Sequence, residues 1–276
     1  RHVLFNSYFH YSSFIEQLPT FLRMMPEYNC TWIPDEIMEK STVLYPGCDI
    51  PPADTTIQKP MGSTVVSTCS SAATDPIEEP LPEGAEEHKT TTAPLIIWNH
   101  RWEFDKNPEL FFRVLKRIQE RGIEFTLALL GENFQAVPTP FIDAKKIFNK
   151  KILAYGFEED RGQYLSWLTE GDIVVSTAIQ ENFGIAIIEA IRFGCLPLLP
   201  DRLSYPELIP SHLHDVCLYH NAEELESKLV SLLTSQKIPL FPELTARAAG
   251  FSWENRARLY DDLFENVAVD GKQESL

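Results

Sequence analysis

Cysteine is scarce in this 276-residue chain: five residues, an odd number, at positions 30, 48, 69, 195 and 217, with no Cys-x-x-Cys spacing. That usage argues against a disulfide scaffold and a structural zinc site, and fits reduced thiols in an intracellular protein, cytoplasmic or nuclear. His212, His214 and Cys217 form a local cluster of soft ligands without a second ligand pair. No stretch approaches 18 consecutive apolar residues, so no transmembrane helix is expected. No signal peptide is expected either: the chain opens on the strand-like run Arg1-His2-Val3-Leu4-Phe5, without Met, as a fragment of a longer protein would. Positive charge is also short, 24 Lys and Arg against 40 Asp and Glu, a net charge of −16. Such a balance argues against non-specific binding to nucleic acid or an anionic membrane. Any anion site must be local, built from a few placed cations and backbone amides.

What is present divides the chain into unequal parts. Residues 1–50 read as strand, helix and strand: "HVLFNS", then helical apolar spacing over 13–25, then "STVLYPG" stopped by Pro46-Gly47. Two strands and a helix cannot bury themselves, so these read as the end of a larger domain and a hinge. Residues 51–93 are rich in Ser, Thr, Pro, Ala and Glu, with seven acids against two lysines. Their composition predicts an unstructured insert, either a plain loop or a phosphorylated regulatory one. Over 94–250 strands alternate with helices. Strands are expected at 95–99, 124–131, 151–156, 172–177, 195–200 and 215–219, and helices at 107–121, 142–149, 160–169, 184–194 and 222–234. Apolar strands flanked by helices indicate an α/β fold with a parallel sheet covered on both faces. Residues 251–276 read as an amphipathic helix over 251–267 with a frayed tail.

In a doubly wound sheet ligands lie beyond the carboxyl ends of the strands. Two strand-to-helix loops there carry candidate chemistry. In "WNHRWEFDKNPELFF", Arg101 and Lys106 precede an Asn107 N-cap, with Pro108 and Glu109 opening the helix. Two cations beside a helix N-terminus suit a phosphate or diphosphate, although Lys106 could equally pair with Asp105. In "STAIQENFGIAIIEAIRF", amides from Asn182 through Phe183 and Gly184 to Ile185 can face an anionic oxygen. Glu189 lies on an otherwise apolar helix and needs partners, either the two hydroxyls of a 1,2-diol such as ribose or Arg192. Glu181 points outward from the loop or is simply a surface acid. Gly131 and Gly156 end the second and third strands, where a ligand or a neighbouring strand can approach the backbone.

These residues carry a resemblance. Glu181-Asn182-Phe183-Gly184 followed by Glu189 is similar to the E-x7-E motif of retaining glycosyltransferases with two Rossmann-like domains, the family-4 group of the GT-B class. Arg101 and Lys106 are spaced as the Arg and Lys of that group's diphosphate loop, with His100 in place of its glycine. "YPGCDI" (45–50) looks like the group's interdomain hinge. The resemblance implies a GT-B fold, of which 94–250 is the nucleotide-sugar domain and 1–50 a remnant of the acceptor-side domain. It assigns Arg101, Lys106 and Glu181 to catalysis, and Gly131, Tyr155, Gly156, Asn182, Phe183, Gly184, Ile185 and Glu189 to the donor. No Asp-x-Asp pair is present, and the two cations imply activity without a metal. "LFNSYFHYSSF" and "TAIQENFGIAIIEAIRFGCLPLLPDRLSYPEL" narrow the resemblance to transferases that mannosylate queuosine in tRNA-Asp. That implies GDP-mannose as donor and tRNA-Asp as acceptor; the negative charge and the lack of a basic amphipathic face argue against a membrane partner. The alternatives are an inert nucleotide-sugar-binding or interaction fragment, and a related transferase with another donor and acceptor.

Overall fold

A computed structural model of the chain describes residues 2–25, 30–57, 93–132 and 136–273. Most of the expected insert, 58–92, and the last three residues of the expected tail lie outside them.

Ser7 fixes the first helix. Its hydroxyl accepts from the His10 amide, so α1 (Tyr8–Arg23) begins five residues before the apolar periodicity suggested. The strand β1 (Val3–Phe5) precedes it. A second helix, α2 (Ile33–Glu39), starts on Pro34 with Asp35 and Glu36 in its first turn, and leads to β2 (Ser41–Val43). β1 and β2 pair in parallel.

The larger part begins with β3 (Leu95–Trp98), buried at every position. Leu95 and Ile97 enter one apolar cluster, Ile96 and Trp98 the other, so this strand supplies both faces of the sheet. Each fully buried apolar side chain of this size contributes about 1.5–3 kcal/mol. The chain continues through α3 (Pro108–Glu120), β4 (Thr126–Leu130), α4 (Thr139–Ile147), β5 (Ile152–Gly156), α5 (Arg161–Glu170), β6 (Ile173–Val175), α6 (Ile185–Arg192) and β7 (Leu196–Pro200). It then runs through α7 (Tyr205–Leu208), α8 (His214–Cys217), β8 (Leu218–Tyr219), α9 (Ala222–Thr234), α10 (Pro242–Ala249) and α11 (Trp253–Gln273). The six strands order as β5-β4-β3-β6-β7-β8, all parallel. The direction of winding reverses between β3 and β6, and a crevice opens at that point.

Three expectations are corrected. The strand expected at 215–219 is mostly the helical turn α8, leaving two residues in β8. Residues 51–57, expected to belong to the unstructured insert, are held by Arg192, whose guanidinium donates to the carbonyls of Pro51, Pro52 and Thr55. Part of the tail expected to fray is helical, since α11 runs on to Gln273.

The hinge is pinned from the C-terminal side. The Cys48 amide donates to the Phe251 carbonyl at 2.7 Å, and the Trp253 amide returns to Cys48 at 3.1 Å. Arg256 donates to the Tyr45 carbonyl.

Candidate active site

The loop after β3 and the loop after β6 flank the reversal point, and hydrogen bonds stitch them together. The Asp105 carbonyl accepts from the Ile179 amide at 2.8 Å, and the Thr177 hydroxyl donates to the carbonyls of Lys106 and Asn107. Asn107 adopts a left-handed conformation (φ 50°) and caps α3 through its side chain, as expected of an N-cap ahead of Pro108. The pairing brings Lys106 against Glu181, 75 residues away.

Lys106 is buried, at 7% exposure. Its ammonium donates to the Gln180 carbonyl at 2.9 Å and meets Asp105 Oδ2 at 3.1 Å and Glu181 Oε2 at 3.3 Å. The Lys106–Asp105 pair anticipated as an alternative is therefore present, and Glu181 joins it. Arg101 is half exposed and 3.3 Å from Glu103. Both cations line the same cavity of about 330 Å³.

Glu181 also organises its own loop. Its Oε1 accepts from the amides of Asn182 (3.1 Å) and Phe183 (3.3 Å). Those two amides, expected to face an anion, are thus engaged. The next three, Gly184, Ile185 and Ala186, have no hydrogen-bond partner among the described residues and open onto that cavity at the head of α6. Gly184 caps α6 at φ 102°, a conformation that disfavours any side chain.

Glu189 is buried and paired, but not with Arg192. Its Oε1 accepts from Arg161 at 2.7 Å and its Oε2 from the Tyr164 hydroxyl at 2.8 Å. Burial, reinforced by the charge of Glu189, raises the pKa of Tyr164 and keeps it a donor. Asn99 donates to Tyr164 and to the Ala186 carbonyl. These groups, with Gly131, line a second cavity of about 450 Å³ that adjoins the first. Gly131 leaves room for the His100 carbonyl, which a side chain there would strike. Tyr155 and Gly156, expected at this end, do not line the cavity. The Tyr155 ring turns to the opposite face of the sheet, edge-on to Trp102 at 4.7 Å and beneath Lys145.

Arg161 and Tyr164 were missed from the sequence. Their signal is the Asp160 N-cap directly after β5, which puts both on the first turn of a helix facing the crevice. His100 was noted only as a replacement for glycine, and Asn99 not at all. A third cavity, about 420 Å³, lies where Phe9 and Ser13 of α1 approach Lys106 and Glu181. α1 is tied there by Ser7, which donates to the Asn182 carbonyl, and by Glu207, which accepts from the amides of Tyr8 and Phe9. Among the described residues no group of three metal-ligating side chains occurs, and no helix is long and apolar enough to cross a membrane.

A six-stranded Rossmann-type sheet with a cationic pocket at its switch point, joined to a smaller α/β segment, defines a GT-B glycosyltransferase fold. The chain belongs to the glycosyl transferases group 1 family, whose model matches residues 83–248. Residues 1–48 match a second family model, tRNA-queuosine alpha-mannosyltransferase N-terminal. Over 236 residues the chain is 33% identical to the tRNA-queuosine alpha-mannosyltransferase of Drosophila melanogaster, covering 86% of this chain and 56% of that protein. It thus spans little more than half the length of this relative. Among solved structures, a glycosyltransferase from Rickettsia africae superposes with a TM-score of 0.63 at 18% identity, over 97% of this chain and 64% of that one. The lipopolysaccharide outer core galactosyltransferase WaaB gives 0.60 at 13% identity, over 96% and 62%.

Proposed function

We propose that this chain is the donor-binding part of a mannosyltransferase that moves mannose from GDP-mannose to the queuosine of tRNA-Asp, with retention at the anomeric carbon, in the cytoplasm. The observation that carries the reading is the buried Lys106 ammonium set beside three unpartnered amides at the head of α6, with Arg101 on the same cavity. A diphosphate bridges such a set, and two cations with oriented amides stabilise the charge that grows on it as the sugar–phosphate bond breaks. The similarity to the Drosophila enzyme and to the N-terminal model supports the sugar and the acceptor.

Arg101 and Lys106 hold the diphosphate, with the amides of Gly184 and Ile185. Glu181 turns from Lys106 to the sugar hydroxyls. Glu189 takes the ribose hydroxyls in exchange for one of its present donors, and the wall at Gly131 receives the base. Because the cations already neutralise the leaving group, the reaction needs no divalent metal.

Calorimetric titration with GDP-mannose, UDP-glucose and GDP tests the donor. GDP-mannose and GDP are expected to bind and UDP-glucose to bind weakly; a preference for UDP-glucose rejects the assignment. Glu189→Gln is expected to raise the GDP-mannose dissociation constant about tenfold through loss of charge-assisted hydrogen bonds. Transfer by a chain extended to the length of its relatives should survive EDTA. Loss on chelation and recovery with Mg²⁺ or Mn²⁺ would refute the metal-free mechanism.

A further inference from the structure

Two acceptor atoms in the cavity wall are left without partners. Asn99 and His100 line both the 330 Å³ and the 450 Å³ cavities, and each is more than nine-tenths buried. Asn99 Nδ2 donates to the Ala186 carbonyl at 2.7 Å, an unambiguous acceptor that fixes the amide's orientation. Its Oδ1 is buried and makes no hydrogen bond among the described residues, and neither does His100 Nε2. The His100 ring faces the Val175 backbone and stands edge-on to Trp98 at 5.0 Å. Burial, and next the nearby Lys106 charge, pushes the His100 pKa down to about 3. The imidazole is therefore neutral, and its tautomer protonated on Nδ1 presents a lone pair at the unpartnered Nε2.

The chemistry of the pair differs from that of the cations and amides beside it, and matches that of Glu181 and Glu189 on the same walls. Lys106, Arg101 and the α6 amides are donors, matched to phosphate oxygens. A diphosphate has no proton to offer Asn99 Oδ1 or His100 Nε2, whereas a hydroxyl does. Buried polar groups left unmatched are costly, and their mates are the groups a ligand should bring. Neither atom meets bulk solvent, so the ligand must press into the wall to reach them and water does not compete once it has.

We infer that Asn99 and His100 form a hydroxyl-reading pair, specific for a sugar alcohol of the bound nucleotide sugar, either on the ribose or on the transferred hexose. The inference rests on the donor reading above. It makes the histidine that replaces the family's glycine a binding residue and not a spacer.

His100→Phe tests it, because it keeps the ring against Trp98 and removes the acceptor. The parent chain and the variant are titrated with GDP-mannose, GDP and 2′,3′-dideoxy-GDP. A loss of about tenfold confined to GDP-mannose supports a hexose hydroxyl. A similar loss on GDP-mannose and GDP that vanishes on the dideoxy nucleotide supports a ribose hydroxyl. Equal losses on all three ligands mean a structural role and overturn the pair; so does no loss on any. His100→Gln, which restores an acceptor, is expected to recover part of the affinity and serves should the phenylalanine variant fail to fold. If the parent chain binds none of the three, the donor reading itself falls, and this inference with it.

Discussion

The sheet of residues 94–250 is covered on both faces, whereas β1 and β2 are flanked by a helix, α1, that buries none of its side chains. Tyr8, Phe21, Met24 and Trp32 of that smaller segment are each more than half exposed. Its order comes from outside. Glu207 caps α1, Ser7 reaches the Glu181 loop, Tyr45 donates to Glu207, and α11 crosses back onto the hinge. One region carries its own core; the other is held at its helix N-terminus by polar contacts from the first, and at its hinge by polar contacts and by packing of Tyr45, Cys48 and Ile50 onto that core. The second is thus positioned by the very loop that carries the candidate chemistry.

The largest expected effect tests that asymmetry directly. Ile97, at 0% exposure in the central strand, and Phe21, at 52% on α1, are both large and apolar. Ile97→Ala should destabilise the chain by about 2–5 kcal/mol through lost burial and a residual cavity. Phe21→Ala should stay within about 0.5 kcal/mol. Urea unfolding of the two variants measures both. Comparable losses would show that α1 is packed as a core helix, and would erase the contrast.

A smaller effect sharpens the contrast at its joint. Glu207→Gln replaces an anion that accepts from the amides of Tyr8 (2.9 Å) and Phe9 (2.6 Å) and from the Tyr45 hydroxyl (2.8 Å). Loss of these charge-assisted bonds should cost about 1–2 kcal/mol and fall on the smaller segment. Amide hydrogen exchange is expected to quicken at Tyr8 and Phe9 while β3 and β6 keep their protection. Uniform acceleration across both regions would mean that they unfold as one unit.

The same asymmetry explains what could be read without coordinates. The strands β3, β4, β6 and β7 of the larger region were visible as apolar runs, because a strand buried on both faces has no other composition, whereas the run at 215–219 is mostly the turn α8. Lys106 and Glu181 were visible as charges in the loops that follow strands, and Glu189 as an acid within an apolar helix. What stayed hidden depends on tertiary partners or on parity. Arg192 is three residues from Glu189, the spacing of a helical ion pair, yet it turns to the carbonyls of 51–55 and leaves Glu189 to Arg161. Tyr155, assigned to the donor by resemblance, lies beyond a register shift between Leu127 and Ala128. Ile152 pairs with Leu127 and Ala154 with Ala128, so the extra residue in β5 reverses the alternation and sends Tyr155 to the Trp102 face. In the smaller segment, α2 lacked a readable stripe because only Pro34 in it is buried.

The smallest expected effect concerns an exposed edge of the well-packed region. His220 follows β8 and sits 2.9 Å from Glu224 and 3.1 Å from Asp201. The hydrogen bond and charge of Glu224 raise the His220 pKa above its ordinary 6.5. Hydrogen bonds from the His220 backbone and ring lower Glu224 from 4.5 to about 2. A raised histidine stabilises the fold fully below its unfolded value, and that contribution is lost as pH rises through the folded one. A lowered carboxylate stabilises above its unfolded value, and the contribution is lost as pH falls through the folded one. The pair therefore contributes most between about pH 4.5 and 6.5. The exposure of His220 and salt screening keep the amount small. NMR titration of the His220 ring should give a midpoint above 6.5 that falls toward it in Glu224→Gln and in high salt. A midpoint unmoved by either would mean that Glu224 lends the end of β8 no electrostatic support through His220.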